Sequence, residues 1–187
     1  CLQLPNPNNM DVSISIVSYN TSTLLKRCLI SIYKEIKDIT FEVIVVDNGS
    51  TDGSCAMVKK EFPQVVLVAN KKNMFLTKAN NQAFKKAKGK YVLILNSDTY
   101  FVNNSLKKLF NFMERKPDVG ACEGLELYEN GKILSTGSRF STPLIDFYEL
   151  SLLGKRVKDK KLINHYRLAN KDRKRTFLIA VGCAAFL

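Results

Sequence analysis

The sequence predicts an α/β fold built on a mainly parallel sheet, and three observations predict it. Short apolar runs alternate with segments of helical periodicity. The runs are apolar nearly throughout, as strands covered on both faces require. Polar clusters follow three of the runs directly. In parallel sheets such loops converge on the carboxyl edge of the strands, where ligands bind.

Residues 12–17 are rich in β-branched side chains and read as the first strand, broken by Ser18, Tyr19, Asn20, Thr21 and Ser22. Leu24, Leu25, Cys28, Leu29 and Ile32 then recur at helical spacing. Residues 41–46 form the second strand, which ends in Asp47-Asn48-Gly49-Ser50-Thr51-Asp52-Gly53. Met57, Val58 and Phe62 mark a short helix. Residues 65–68 give a third strand, followed by polar residues 70–73. The spacing predicts a helix over 76–88, with Thr77 near its start and Gly89 just past its end. Residues 91–95 are the fourth strand, stopped by Asn96-Ser97-Asp98-Thr99. A helix over 105–115 places Leu106, Leu109, Phe110 and Met113 on one face. Residues 119–128 read as a further strand and Glu129-Asn130-Gly131-Lys132 as a turn. The expected order of the first four strands is 3-2-1-4, which sets the ends of the second, first and fourth side by side.

A chain of 187 residues is long enough for one such domain with a substantial core. Its 45% hydrophobic and 25% charged residues argue against a disordered chain. Five cysteines without a CxxC pair, and a single histidine, give a Cys/His zinc site little support. Cys28 and Cys55 read as free thiols within helices. No run reaches the length of a membrane-spanning helix. The first nine residues lack the charged start and apolar centre of a signal peptide. Met10 is read as a native start and residues 1–11 as a non-native or disordered leader.

The net charge of +12 is concentrated rather than spread. Residues 155–175 carry ten Lys and Arg against Asp159 and Asp172. This points to an anionic surface as partner rather than to a generally basic fold. Nucleic acid is disfavoured, because no stacking aromatics interleave with the strands in a recognised module.

The predicted edge lacks both phosphate-binding glycine signatures, GxGxxG and GxxxxGK with Ser or Thr. It carries Asp47, Asp52 and Asp98, with amides at Asn20, Asn48 and Asn96. Hard oxygens of this kind suit Mg²⁺ or Mn²⁺, which completes its shell with phosphates and water. Asp and Asn after strands also serve as turn formers and caps. Asp52 reads as a cap of the following helix, and Asp47 stays open between turn and ligand. Asp98 reads as a ligand, since it closes an apolar strand where an unpaired charge is costly.

Three motifs in order carry a resemblance. Val12-Ser13-Ile14-Ser15-Ile16-Val17-Ser18-Tyr19-Asn20 resembles the opening strand of family 2 glycosyltransferases. Val43-Ile44-Val45-Val46-Asp47-Asn48-Gly49-Ser50-Thr51-Asp52-Gly53-Ser54 is similar to their VVDNGSTDGS element. Tyr91-Val92-Leu93-Ile94-Leu95-Asn96-Ser97-Asp98-Thr99 resembles the DxD-like NPDT strand of the rhamnosyltransferase-like branch, and residues 181–186 resemble that branch's small-residue element. The resemblance implies the GT-A fold, a Rossmann-like three-layer arrangement with a mainly parallel central sheet. It implies that residues 12–136 bind a nucleotide sugar and that residues 137–187 begin an acceptor-side region.

Position by position, the resemblance implies that Ser18, Tyr19 and Asn20 lie beside the nucleoside. It implies that Asp47 accepts a hydrogen bond from a uracil or thymine base. Asp98 would reach a divalent cation, Mg²⁺ or Mn²⁺, and Asn96 stands where other members carry the first Asp of DxD. Asn73, Asn80 and Asn81 match the family's N-x-G-F-(G/A)-x-A-x-N element, whose glycine is replaced here by Phe75. The implied donor is a UDP- or dTDP-linked sugar, and the implied acceptor is a glycan or lipid-linked saccharide. Transfer would proceed with inversion, in cell-surface polysaccharide biosynthesis. The family's catalytic base follows the element resembling residues 181–186. It is therefore expected beyond Leu187, with this sequence a fragment; a non-catalytic nucleotide-sugar-binding remnant is the alternative.

The implied location is the cytoplasm, on the inner face of the plasma membrane. Leu144, Ile145, Phe147, Tyr148, Leu150, Leu152 and Leu153 precede the basic segment. The two together suit peripheral attachment to an anionic bilayer, with a solvated segment beside the acceptor site as the other reading. His165 within the segment reads as incidental.

Overall fold

The computed structural model describes residues 10–124, 126–128, 130–132 and 184–186. Of the expected leader over residues 1–11, residues 1–9 lie outside the described residues, as do the apolar stretch 143–153, the basic segment 155–175 and His165; Met10 O accepts the Lys90 amide (2.9 Å) and Asp11 exchanges hydrogen bonds with Thr40. Strands β1 (Val12–Ser18), β2 (Phe41–Asp47), β3 (Val66–Ala69) and β4 (Tyr91–Asn96) alternate with helices α1 (Ser22–Glu35), α2 (Ser54–Glu61) and α3 (Phe75–Phe84). Helix α4 (Ser105–Arg115) and the short strands β5 (Cys122–Glu123) and β6 (Ala184–Phe186) complete the described elements.

The sheet order is β3-β2-β1-β4-β6-β5. The first four strands therefore stand in the expected 3-2-1-4 order, and all three ladders among them are parallel. β6 pairs antiparallel with both β4 and β5.

Both faces of the sheet are covered, which makes three layers. On one face Ile14 and Ile16 of β1, Val43 and Val45 of β2, and Leu93 and Leu95 of β4 pack against α1, α2 and α4. Helix α4 contributes Leu106, Leu109 and Met113, as its spacing predicts. On the other face Ile44 and Val46 meet Ala79 and Ala83 of α3. That layer is built from small groups. Ser13 and Ser15 of β1 are buried there. The Ser13 hydroxyl donates to Glu42 Oε1 (2.6 Å) and accepts from the amides of Lys88 (3.0 Å) and Gly89 (2.8 Å).

Three elements differ from the sequence expectation. α3 ends at Phe84, not residue 88, and Thr77 lies inside it rather than capping it. The chain leaves the helix there through tightened turns at Lys86 and Ala87. The Lys88 and Gly89 amides can then reach Ser13. β3 is displaced by one residue, because the Val65 amide bonds back to Phe62 (3.0 Å) instead of joining the ladder. Of the strand expected over 119–128, Cys122–Glu123 is strand among the described residues, paired antiparallel with β6. The turn expected at 129–132 is closed by bonds between Tyr128 and both Gly131 and Lys132.

Candidate functional site

The ends of β2, β1 and β4 lie side by side, with Ser18 opposite Asp47 and Val17 opposite Asn96. The loops that leave these strands are tied together by side chains. Ser18 Oγ is 2.8 Å from Thr21 Oγ1, which donates to Ser97 Oγ at 3.0 Å. This hydroxyl chain joins the β1 loop to the β4 loop. Asn20, at φ 53°, joins the β1 loop to the β2 loop. Its amide donates to Ser50 Oγ (2.9 Å) and its Oδ1 accepts from the Thr51 amide (2.9 Å).

Asp47 is buried at this seam. One oxygen, Oδ1, accepts the amides of Gly49 (3.1 Å) and Ser50 (2.9 Å) and so shapes the turn. The other, Oδ2, is buried without an N–H or O–H donor among the described residues. The Cys55 thiol, a weak donor, lies against the same carboxylate. Its pKa is pushed up to about 11, by burial first and then by the hydrogen bond and charge of Asp47.

Asp52 behaves as the cap the sequence suggests, and for two helices. Its Oδ1 accepts the Ser54 amide (3.0 Å) and hydroxyl (2.5 Å) at the start of α2. Its Oδ2 accepts the Ser22 amide (2.7 Å) at the start of α1. The Ser54 hydroxyl, and then the amides, hold its pKa below the ordinary carboxylate value.

Asn96 and Asp98 are exposed in the turn after β4, which is closed by the Thr99 amide on Asn96 O (3.2 Å). Cys28 lies buried beneath this turn, with Sγ 3.9 Å from Asn96 O. Burial and then the charge of Asp98 push its thiol up to about 12. Among the described residues no three His, Cys, Asp or Glu side chains form a metal cage. One exposed carboxylate, Asp98, at the loop edge fits a hard cation whose shell is completed by phosphates and water.

Ser18, Tyr19, Asn20, Asp47, Asn96 and Asp98 thus share one edge. Asn73 lies beside it at the start of α3, where its Oδ1 accepts the Phe75 amide (2.8 Å). Asn80 does not join them: it is turned toward Ser15, three residues before the end of β1, at 3.5 Å. Asn81 is exposed on α3. The structure adds partners that the sequence reading did not give. Asn48 Oδ1 accepts from Asn70 Nδ2 (3.1 Å) and the Met74 amide (3.4 Å), and Asn70 pairs reciprocally with Gln82 at 2.9 and 3.0 Å. Thr21, Ser50 and Ser97 stood within the polar clusters, which was signal enough to find them. Asn70 stood in the polar stretch after the third strand, whereas Gln82 had no such signal.

A sequence model described as Glycosyl transferase family 2 matches residues 13–186. The chain is 34% identical over 116 residues to a poly(ribitol-phosphate) beta-glucosyltransferase of Bacillus spizizenii, covering 59% of this chain and 18% of that protein. It is 32% identical over 108 residues to a UDP-Glc:alpha-D-GlcNAc-diphosphoundecaprenol beta-1,3-glucosyltransferase of Escherichia coli, covering 55% and 41%. Among solved structures, a Pyrobaculum calidifontis mannosyltransferase in complex with GDP-Man and Mn²⁺ superposes with TM-score 0.57 at 27% identity, covering 66% of this chain and 38% of that one. S. aureus TarS 1-349 in complex with UDP superposes with TM-score 0.56 at 29% identity, covering 71% and 40%. The chain spans less than half the length of each of these proteins.

Proposed function

The chain belongs to glycosyl transferase family 2, and from that premise we propose that its strand-end edge binds a nucleoside-diphosphate sugar for transfer to a glycan or lipid-linked acceptor. The observation that carries the reading is the placement of Asp47 at the end of β2 and Asp98 after β4, the two strands that flank β1, with Asp47 Oδ2 buried and lacking an N–H or O–H donor among the described residues. A buried carboxylate oxygen in that state is costly until a donor reaches it. The imide N–H of uracil or thymine is such a donor. Ser18, Tyr19 and Asn20 flank it and position the nucleoside, with Asn73 at the rim. The UDP bound by TarS and the GDP-Man bound by the Pyrobaculum enzyme support a nucleotide at this edge.

Asp98, with Asn96 beside it, is the group that would hold Mg²⁺ or Mn²⁺, and such a cation supplies charge neutralisation as the diphosphate leaves. The Mn²⁺ of the Pyrobaculum structure supports a divalent ion. We assign the transfer inversion at the anomeric carbon, in polysaccharide assembly on the cytoplasmic face of the membrane. The relatives' polyol-phosphate and diphosphoundecaprenol acceptors support that setting.

Calorimetry with UDP, with and without Mn²⁺, tests the reading. Asp98→Asn keeps the size of the side chain and removes the charge that offsets the metal. The metal-dependent part of UDP affinity should fall about ten-fold or more, equivalent to about 1–3 kcal/mol for a charge-assisted contact. Unchanged affinity and unchanged metal dependence would remove Asp98 from the site.

A further inference from the structure

A second surface, formed by the start of α3, lies beside the nucleotide edge. Phe75 and Leu76, at the start of α3, are 78% and 59% exposed. Phe75 has φ 60°, in the left-handed region that an aromatic residue rarely enters. Its ring stands out in solvent rather than folding onto the sheet. Lys71 and Lys72 precede this tip and Lys78 follows it, all three exposed. Lys85 continues the outer face at helical spacing from Lys78 and Asn81.

Along the sequence, the charge on either side of the tip has one sign. Between Glu61 and Asp98 the sequence contains no Asp or Glu, while Lys71, Lys72, Lys78 and Lys85 are joined by three further lysines. An apolar pair flanked by the exposed Lys71, Lys72 and Lys78 matches an interface that is anionic at its surface and apolar beneath. We propose that the α3 tip is a membrane-contact element, with Phe75 and Leu76 inserting among acyl chains and the lysines meeting anionic headgroups. The proposal draws on neither the basic segment 155–175 nor the nucleotide reading. The Met74 amide, next to the tip, bonds to Asn48 in the β2 loop. Membrane contact here would therefore hold the strand-end edge close to the bilayer surface.

The sequence has no tryptophan, so F75W gives the full chain its only indole. Its emission would be read with vesicles of equal parts phosphatidylglycerol and phosphatidylcholine at low salt, and with phosphatidylcholine alone. The expected result is a blue shift, quenched by brominated acyl chains, with the anionic vesicles only. Adding K72Q and K78Q should weaken the partition about thirty-fold, since each lysine near the surface contributes about a factor of five. L76W repeats the measurement from the adjacent position if F75W does not fold. Anionic vesicles that bind the chain without altering either indole would place the contact elsewhere and overturn the proposal. The same shift with neutral vesicles, or a larger one with single-stranded RNA, would overturn it too.

Discussion

Phe75 shows how one side chain can oppose its own backbone. Its φ of 60° suits glycine, and no buried contact of the ring offsets the strain, since the side chain is mostly exposed. Phe75→Gly should therefore raise stability by about 1 kcal/mol in thermal or urea denaturation, the usual left-handed penalty of a residue with a Cβ; a loss of stability would mean that the ring packs usefully. Asp52 is the opposite case, a side chain that relieves backbone amides at two helix starts. Asp52→Asn keeps an acceptor for the amides but loses the charge at two helix starts, and should cost about 0.5 kcal/mol at pH 7. Its folded pKa is lowered, so its contribution is full above the unfolded carboxylate pKa and is lost as pH falls through the folded value. The two proteins should accordingly converge in stability in strong acid, which urea titrations at several pH values would check. At this scale the sequence revealed residues whose neighbours in the chain are also their neighbours in space. The acids and amides after each strand were visible because the strand–loop pattern places them. The Asn70–Gln82 pair and the turning of Asn80 toward Ser15 depend on how α3 lies across β1, which local pattern does not encode.

Elements were legible in proportion to how much they depend on neighbours close in sequence. The four parallel strands and their order followed from apolar runs, polar loop ends and the connections that parallel strands demand. β5 and β6 were not legible at their observed lengths, because each owes its extent to a partner far along the chain. The end of α3 was misjudged for a related reason. Helical propensity continues past Phe84, but Gly89 must pass directly against β1. A Cβ at Gly89 would sit 2.4 Å from the Ser13 nitrogen and 2.6 Å from the Val12 carbonyl carbon. Both are backbone atoms of the central strand and cannot step aside. Gly89→Ala should therefore destabilise the domain by about 3 kcal/mol, as overpacking against rigid backbone does, and should weaken the Lys88 and Gly89 bonds to Ser13. Hydrogen exchange at those two amides would report it, and native protection in a fully stable variant would show that the loop yields instead.

For the whole molecule, the notable feature is where cohesion comes from. The layers are held by apolar packing on both faces of the sheet, whereas the loops at the strand ends are held to one another by hydroxyls, amides and carboxylates. Such an edge gains most from a ligand that replaces solvent with directed partners, so UDP should stabilise the entire fold. At a ligand concentration one hundred times its dissociation constant the gain is about 2.7 kcal/mol, or about 5–10 °C in Tm for a domain of this size. Two substitutions divide that gain. Asp47→Asn can preserve the Oδ1 acceptor used by Gly49 and Ser50, and so the turn, but it puts an NH₂ where Oδ2 was. A base N–H then meets a donor, and the shift caused by UDP alone should collapse. Asp98→Asn leaves that pocket intact, so UDP alone should still raise Tm while the further rise on adding Mn²⁺ disappears. A Tm that rises equally in both variants and in the parent, with and without Mn²⁺, would mean that the nucleotide binds somewhere other than this edge.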